Sequence, residues 1–160
     1  MINYCENLII ERAKTCAVSG HRIIDKNIDI DLLKETFKSL ILDGYNTYLI
    51  GMAIGFDTLC FQILYGLKKE YDIKIIACIP CENQDSLFSY NQKKIYEDLI
   101  NKADERVLLS KNYNKDVMKK RNMFLVKNSS CLVSYLRRNY GGTFQTVNFA
   151  KKENIKIISL

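Results

Sequence analysis

The feature that most constrains this chain is an alternation. Short apolar runs, half of them stopped by glycine or proline, are separated by stretches whose apolar residues recur at helical spacing. The runs are Thr15 to Ser19, ending at Gly20; Thr47 to Ile50, ending at Gly51; Lys74 to Ile79, ending at Pro80; Arg106 to Leu109; Cys131 to Tyr135; and Ile155 to Ile158. Between them, Asp31 to Asp43 carries Leu33, Phe37, Leu40 and Ile41 on one helical face and is closed by Gly44. Asp57 opens a second helix with Leu59, Cys60, Ile63, Leu64 and Leu67 facing one way. Ser86 to Lys102 and Asp116 to Lys127 read as two more helices, and Gly141-Gly142 lead into a last one with Phe144, Val147 and Ala150 inward. Near-continuous apolar strands must be covered on both faces, which points to a parallel sheet between helical layers. Right-handed crossovers then make the expected fold α/β: a doubly wound, mainly parallel, Rossmann-like sheet of about six strands with helices on both faces.

A chain of 160 residues fits one domain, 1–160, with a core large enough to need no covalent staple. The six cysteines are therefore read as small hydrophobes: Cys16, Cys78 and Cys131 sit in apolar runs and Cys60 in a helix. That usage implies a reducing, cytoplasmic setting. No apolar run is long enough for a membrane span, and Met1 to Glu11 lacks the basic start of a signal peptide. The formal charge of +6 is spread over Lys93–Lys94, Lys119–Arg121, Arg137–Arg138 and Lys151–Lys152. It favours an anionic partner, either nucleic acid or a phosphorylated small molecule.

In an open parallel sheet, ligands bind beyond the carboxyl ends of the strands. Four turns there carry chemistry. The first is Gly20-His21-Arg22, in which glycine permits close backbone approach and arginine offers a planar fork for phosphate. The second runs from Gly51 to Asp57, with Gly55 before the helix; its free N–H groups suit an anion. It is neither a dinucleotide fingerprint nor a Walker loop. Asp57 either caps the helix or accepts a bond from a ribose hydroxyl or base. Further along, Arg121 and Asn122 precede the apolar Met123 to Val126, and Gly141-Gly142-Thr143 opens the final helix. Arg121 serves either an ion pair or a ligand phosphate. Cys78-Ile79-Pro80-Cys81 has the C-x-x-C spacing but lacks further metal ligands and a directly following helix, so it reads as structural. No metal or cofactor is expected.

Together these motifs resemble a family. Ser-Gly-His-Arg, Gly-x-x-x-Gly-x-Asp, Ile-Pro-x-Glu-Asn-Gln, Lys-Arg-Asn and Gly-Gly-Thr, in that order, are similar to the YpsA-like proteins of the SLOG superfamily. That superfamily also holds the Lonely Guy phosphoribohydrolases and the DNA-processing protein DprA. The resemblance runs from about Thr15 to Ser159. It implies a pocket for a nucleotide or ADP-ribose-like ligand formed by Gly20, His21, Arg22, Gly51, Gly55, Asp57, Arg121, Asn122, Gly141, Gly142 and Thr143, and a homo-oligomer. One departure bears on catalysis. Lonely Guy enzymes follow their glycine loop with a catalytic glutamate, whereas here Gly141 to Thr146 contains no acid and the next is Glu153. A glycosidic bond is cleaved with a carboxylate near the oxocarbenium-like centre, and Asp57 is the nearest candidate.

Three functions follow from these residues. The first is a sensor or sequestering protein for a nucleotide-derived small molecule, such as an ADP-ribose relative or a cyclic nucleotide signal. The second is an N-glycosidase or phosphoribohydrolase using Asp57. The third is a nucleic-acid binder, suggested by the +6 charge and by the remote tie to DprA that the resemblance implies; the ten tyrosines offer stacking surfaces, although a tyrosine in an apolar run is more often core.

Overall fold

The computed structural model describes residues 2–160. Among them, six strands form one fully parallel sheet: β1 (Thr15–Gly20), β2 (Thr47–Ile50), β3 (Lys74–Ile79), β4 (Glu105–Leu108), β5 (Cys131–Tyr135) and β6 (Lys156–Ser159). They lie in the order β4-β3-β2-β1-β5-β6. The connections carry α1 (Ile30–Leu42), α2 (Phe56–Leu67), α3 (Tyr90–Lys102), α4 (Val117–Lys127) and α5 (Gly142–Lys152). The chain winds outward from β1 to β4, then returns to the other side of β1 for β5 and β6. Right-handed crossovers with reversed direction place α1, α2 and α3 on one face and α4 and α5 on the other. The expected α/β doubly wound fold is the observed one.

The strand period of two divides the core. Cys16, Val18, Tyr48 and Ile50 face α1 to α3, where they meet Leu33, Phe37, Phe56, Phe61 and Leu64. Ala17, Leu49, Ile76 and Leu132 face α4 and α5, against Leu125, Val126, Val147 and Ala150. Each large side chain fully buried here contributes about 1.5–3 kcal/mol of transfer free energy. All six cysteines are free, and Cys16, Cys60, Cys78, Cys81 and Cys131 are buried. Burial pushes the Cys78 thiol up to about 12, so it behaves as a hydrophobe rather than a nucleophile.

Helix α3 begins later than the expected Ser86. Residues 83–88 are successive turns, with Ser86 N–H donating to Asn83 and Phe88 N–H to Asp85. The N-cap is Ser89, whose hydroxyl accepts from Gln92 N–H while the Gln92 side chain accepts from Ser89 N–H. This reciprocal box outcompetes a helix start at Ser86. Strand β4 starts one residue earlier than expected and β6 one later.

The switch point lies between β1 and β5, the neighbours from which the chain departs in opposite directions. Register pairs Gly20 with Tyr135, so both strands leave the sheet at the same level. Their following loops diverge there and open a crevice.

Candidate functional site

A cavity of about 410 Å³ fills that crevice, within the range of small-molecule sites. Its wall brings together Gly20, His21 and Arg22 from β1 and its loop, Asp57 from α2, Arg121 and Asn122 from α4, and Gly142 and Thr143 from α5. These eight residues come from four separate segments of the chain. Gly51, Gly55 and Gly141, expected beside them, are not on the wall.

The reason is that several glycines are bare to receive protein. A Cβ on Gly55, where φ is +84°, would stand 2.2 Å from the Arg22 carbonyl oxygen. That close approach is locked by Phe56 N–H donating to the His21 carbonyl at 3.1 Å, so the first loop is seated on the start of α2. A Cβ on Gly51 would stand 2.6 Å from the Arg121 guanidinium. Gly20, although on the wall, likewise packs its Cα on the Phe56 ring. Gly141 has φ +92° and forms the N-cap of α5, which sets the turn that aims the helix at the crevice.

Asp57 is not the N-cap of α2; Gly55 holds that position. The carboxylate turns back, and its Oδ2 accepts from Ala53 N–H at 3.1 Å. Met52, buried and in the left-handed region at φ 62°, shapes this loop at a cost of about 1–3 kcal/mol. The other oxygen, Asp57 Oδ1, is buried without a hydrogen-bond partner. Burial pushes the carboxyl up to about 6, against the opposing pull of Arg121 and the Ala53 N–H.

Arg121 is buried and held from several sides. Its Nε donates to Asn122 Oδ1 at 2.8 Å and its Nη1 donates to the Gly51 carbonyl. The same carbonyl accepts from Gln84 Nε2 at 2.9 Å, and Tyr96 O–H donates to Gln84 Oε1 at 3.0 Å. Gln84 and Tyr96 thus form the scaffold beneath Arg121. Burial draws the Arg121 pKa down and Asp57 opposes it, but a guanidinium keeps its charge at neutral pH.

His21 is buried, and its Nε2 accepts from Arg137 N–H at 2.8 Å. That bond fixes the neutral tautomer with the proton on Nδ1. Burial, then Arg138, then Arg137, lower its pKa. The imidazole therefore joins the β1 loop to the β5 loop as a neutral group.

Sequence reasoning missed Arg138, Ile23 and Met118, which also line the cavity. Arg138 carried a signal: it stands in the loop leading to Gly141-Gly142, after a strand. Arg22 and Arg138 are exposed at the mouth, and among the described residues neither takes part in an ion pair. With Arg121 they give the cavity three guanidinium groups to one carboxyl. The first turn of α5 adds the positive end of a helix.

Comparison with known proteins agrees with this architecture. Residues 22–157 match YpsA, the YspA SLOG family. The chain is 28% identical over 118 residues to the uncharacterized SPbeta prophage-derived protein YoqJ of Bacillus subtilis, covering 66% of this chain and 69% of that one. It is 29% identical over 108 residues to the UPF0398 protein lin2003 of Listeria innocua, covering 61% and 60%. In fold it is similar to DNA processing protein A (DprA) from Streptococcus pneumoniae, with a TM-score of 0.68, 16% identity and 92% of this chain covered. A second structural relative is DprA from Helicobacter pylori, described with a single-stranded DNA binding mode, at TM-score 0.67 and 16% identity over 92% of this chain. The chain spans only 50% and 65% of those two proteins. The chain belongs to the YpsA family of SLOG proteins. Among the described residues no helix is long and apolar enough to cross a membrane.

Proposed function

We propose that this YpsA-family chain binds a phosphate-bearing, nucleotide-derived small molecule in the β1/β5 crevice, as a sensor or sequestering protein. One observation carries the reading: a cationic cavity whose wall also holds a buried carboxylate oxygen without a partner. A simple inorganic anion would satisfy the arginines and leave Asp57 Oδ1 orphaned. A ligand with both phosphate and sugar hydroxyls satisfies both, because a hydroxyl donates where the phosphate accepts. An ADP-ribose relative or a cyclic nucleotide signal has that chemistry. The ligand residues under this reading are Arg22, Arg121, Arg138, Asp57, His21 and the N–H groups of Gly142 and Thr143. We further assign the protein to the cytoplasm, as a homo-oligomer.

The direct test is mass spectrometry of the small molecule that travels with the folded protein. A nucleotide-derived species at stoichiometric amount is expected; its absence from protein that also ignores added nucleotides would refute the reading.

A second reading, N-glycosidic hydrolysis, has one observation in its favour. Burial holds the Asp57 carboxyl up at about 6, a range in which a carboxyl serves as general acid or base at neutral pH. Among the described residues it is the one carboxylate on the wall, whereas such cleavage ordinarily uses two. Base release from nucleotides, followed by chromatography, decides it. Nucleic-acid binding is a third reading, supported by the +6 charge and by the single-stranded DNA binding described for the Helicobacter pylori relative.

A further inference from the structure

The mouth of the cavity carries two features that the fold itself does not use. Ile23 lines the wall yet is 88% exposed, so it contributes almost nothing to the core. Arg138 also lines the wall, and its guanidinium lies 4.8 Å from the centre of the Tyr140 ring. Tyr140 is 64% exposed and buries little for the fold. The guanidinium rests beside Gly141 as well, with Nη2 at 3.5 Å from where a Cβ would be. A planar cation backed by an aromatic ring presents its other face outward. A comparable pair, Lys94 over Tyr90 at 4.5 Å, is not on this cavity and lacks a planar head.

We propose that Ile23 and the Arg138–Tyr140 pair form a subsite for a planar heteroaromatic base. The inference rests on the nucleotide reading above and deepens it. The ligand is a nucleoside phosphate rather than a sugar phosphate. Its base lies at the mouth, one face toward the guanidinium and the apolar Ile23 at its side. Its phosphate reaches the start of α5, and its ribose reaches Asp57. An isoleucine exposed in water gains only when an apolar surface covers it. A base supplies such a surface and a π-face for the cation.

The test uses the full chain, with AMP and ribose 5-phosphate as probes in isothermal titration calorimetry. AMP is expected to bind at least about tenfold more tightly than ribose 5-phosphate, the discrimination a single stacked base provides. Tyr140→Ala and Ile23→Ser are each expected to weaken AMP about five- to tenfold and to leave ribose 5-phosphate unchanged. Both positions are exposed, so neither variant endangers folding; Arg22→Ala, by contrast, should weaken both probes. Equal affinity for the two probes, or equal losses for both in Tyr140→Ala, overturns the base subsite and leaves the phosphate reading standing. Binding of neither probe overturns both.

Discussion

Asp57→Asn should change how stability depends on pH. The carboxyl is buried with one orphaned oxygen, and its pKa rises from 3.8 to about 6. A raised folded-state pKa means the folded protein holds its proton more tightly than the unfolded chain. The resulting stability is complete below 3.8 and is lost as pH rises through 6. The difference of about 2.2 units corresponds to about 3 kcal/mol, of which about 2.5 is lost between pH 4 and 7.5. Asparagine keeps the shape and the bond from Ala53 N–H but does not titrate. Other carboxylates titrate in both proteins and cancel in the comparison. Urea denaturation of wild type and Asp57→Asn at pH 4 and pH 7.5 should therefore show the variant gaining about 2.5 kcal/mol relative to wild type across that interval. For a domain of this size that is a relative rise of about 5–10 °C in Tm. Parallel pH profiles for the two proteins would refute the buried, uncompensated carboxyl. A ligand hydroxyl on Oδ1 stabilises the charged form, so the same comparison with bound ligand should show a smaller gap.

Two further predictions concern the loops that frame the site. Gly55→Ala should cost at least about 3 kcal/mol, from the positive φ and the overlap with the Arg22 carbonyl. Gly141→Ala, with positive φ but no overlap, should cost about 1–2 kcal/mol; equal losses in denaturation would contradict the seating of the first loop on α2. His21 should remain neutral, with its proton on Nδ1, below its ordinary 6.5, as read by imidazole nitrogen chemical shifts. Because that lowered pKa costs stability as pH falls below 6.5, His21→Gln should lessen the acid loss; a His21 titrating at 6.5 or above would contradict the Arg137 lock.

The layered fold was legible because each strand is a compact apolar run and each helix shows its face. The position of the candidate cavity was legible as well, since strand ends locate such a crevice whatever their residues. The roles of individual residues were less so. Gly20, Gly51 and Gly55 read as approaches for a ligand, yet they receive Phe56, Arg121 and the Arg22 backbone; a bare Cα looks the same in sequence whichever partner fills it. Arg121 read as either an ion-pair partner or a phosphate ligand; its bond to the neighbouring Asn122 is local, but its bond to the Gly51 carbonyl depends on a loop seventy residues away. Arg138 counted in the sequence only toward the dispersed positive charge and Ile23 drew no reading, because only the pairing of β1 with β5 sets them on one cavity. The Ser89–Gln92 capping box, by contrast, was present in the sequence and marks the true start of α3.

Under the proposed function, this cavity holds a phosphate-bearing nucleotide derivative. Removing Arg121 is a poor test, since its loss strips one of two donors from the Gly51 carbonyl and the nearby positive charge that offsets burial of Asp57. Arg22 and Arg138 are exposed and, among the described residues, outside any ion pair, so both can be removed without loss of fold. Calorimetric titration of wild type and Arg22→Ala/Arg138→Ala with AMP, ADP-ribose and NAD is the most direct measurement. Saturable, one-site binding of at least one of these to wild type is expected, weakened in the variant at least about tenfold by loss of the Arg22 charge-assisted contact and further by loss of the Arg138 face against the base. Undiminished binding in the folded variant, or no binding of any of the three to wild type, would contradict it.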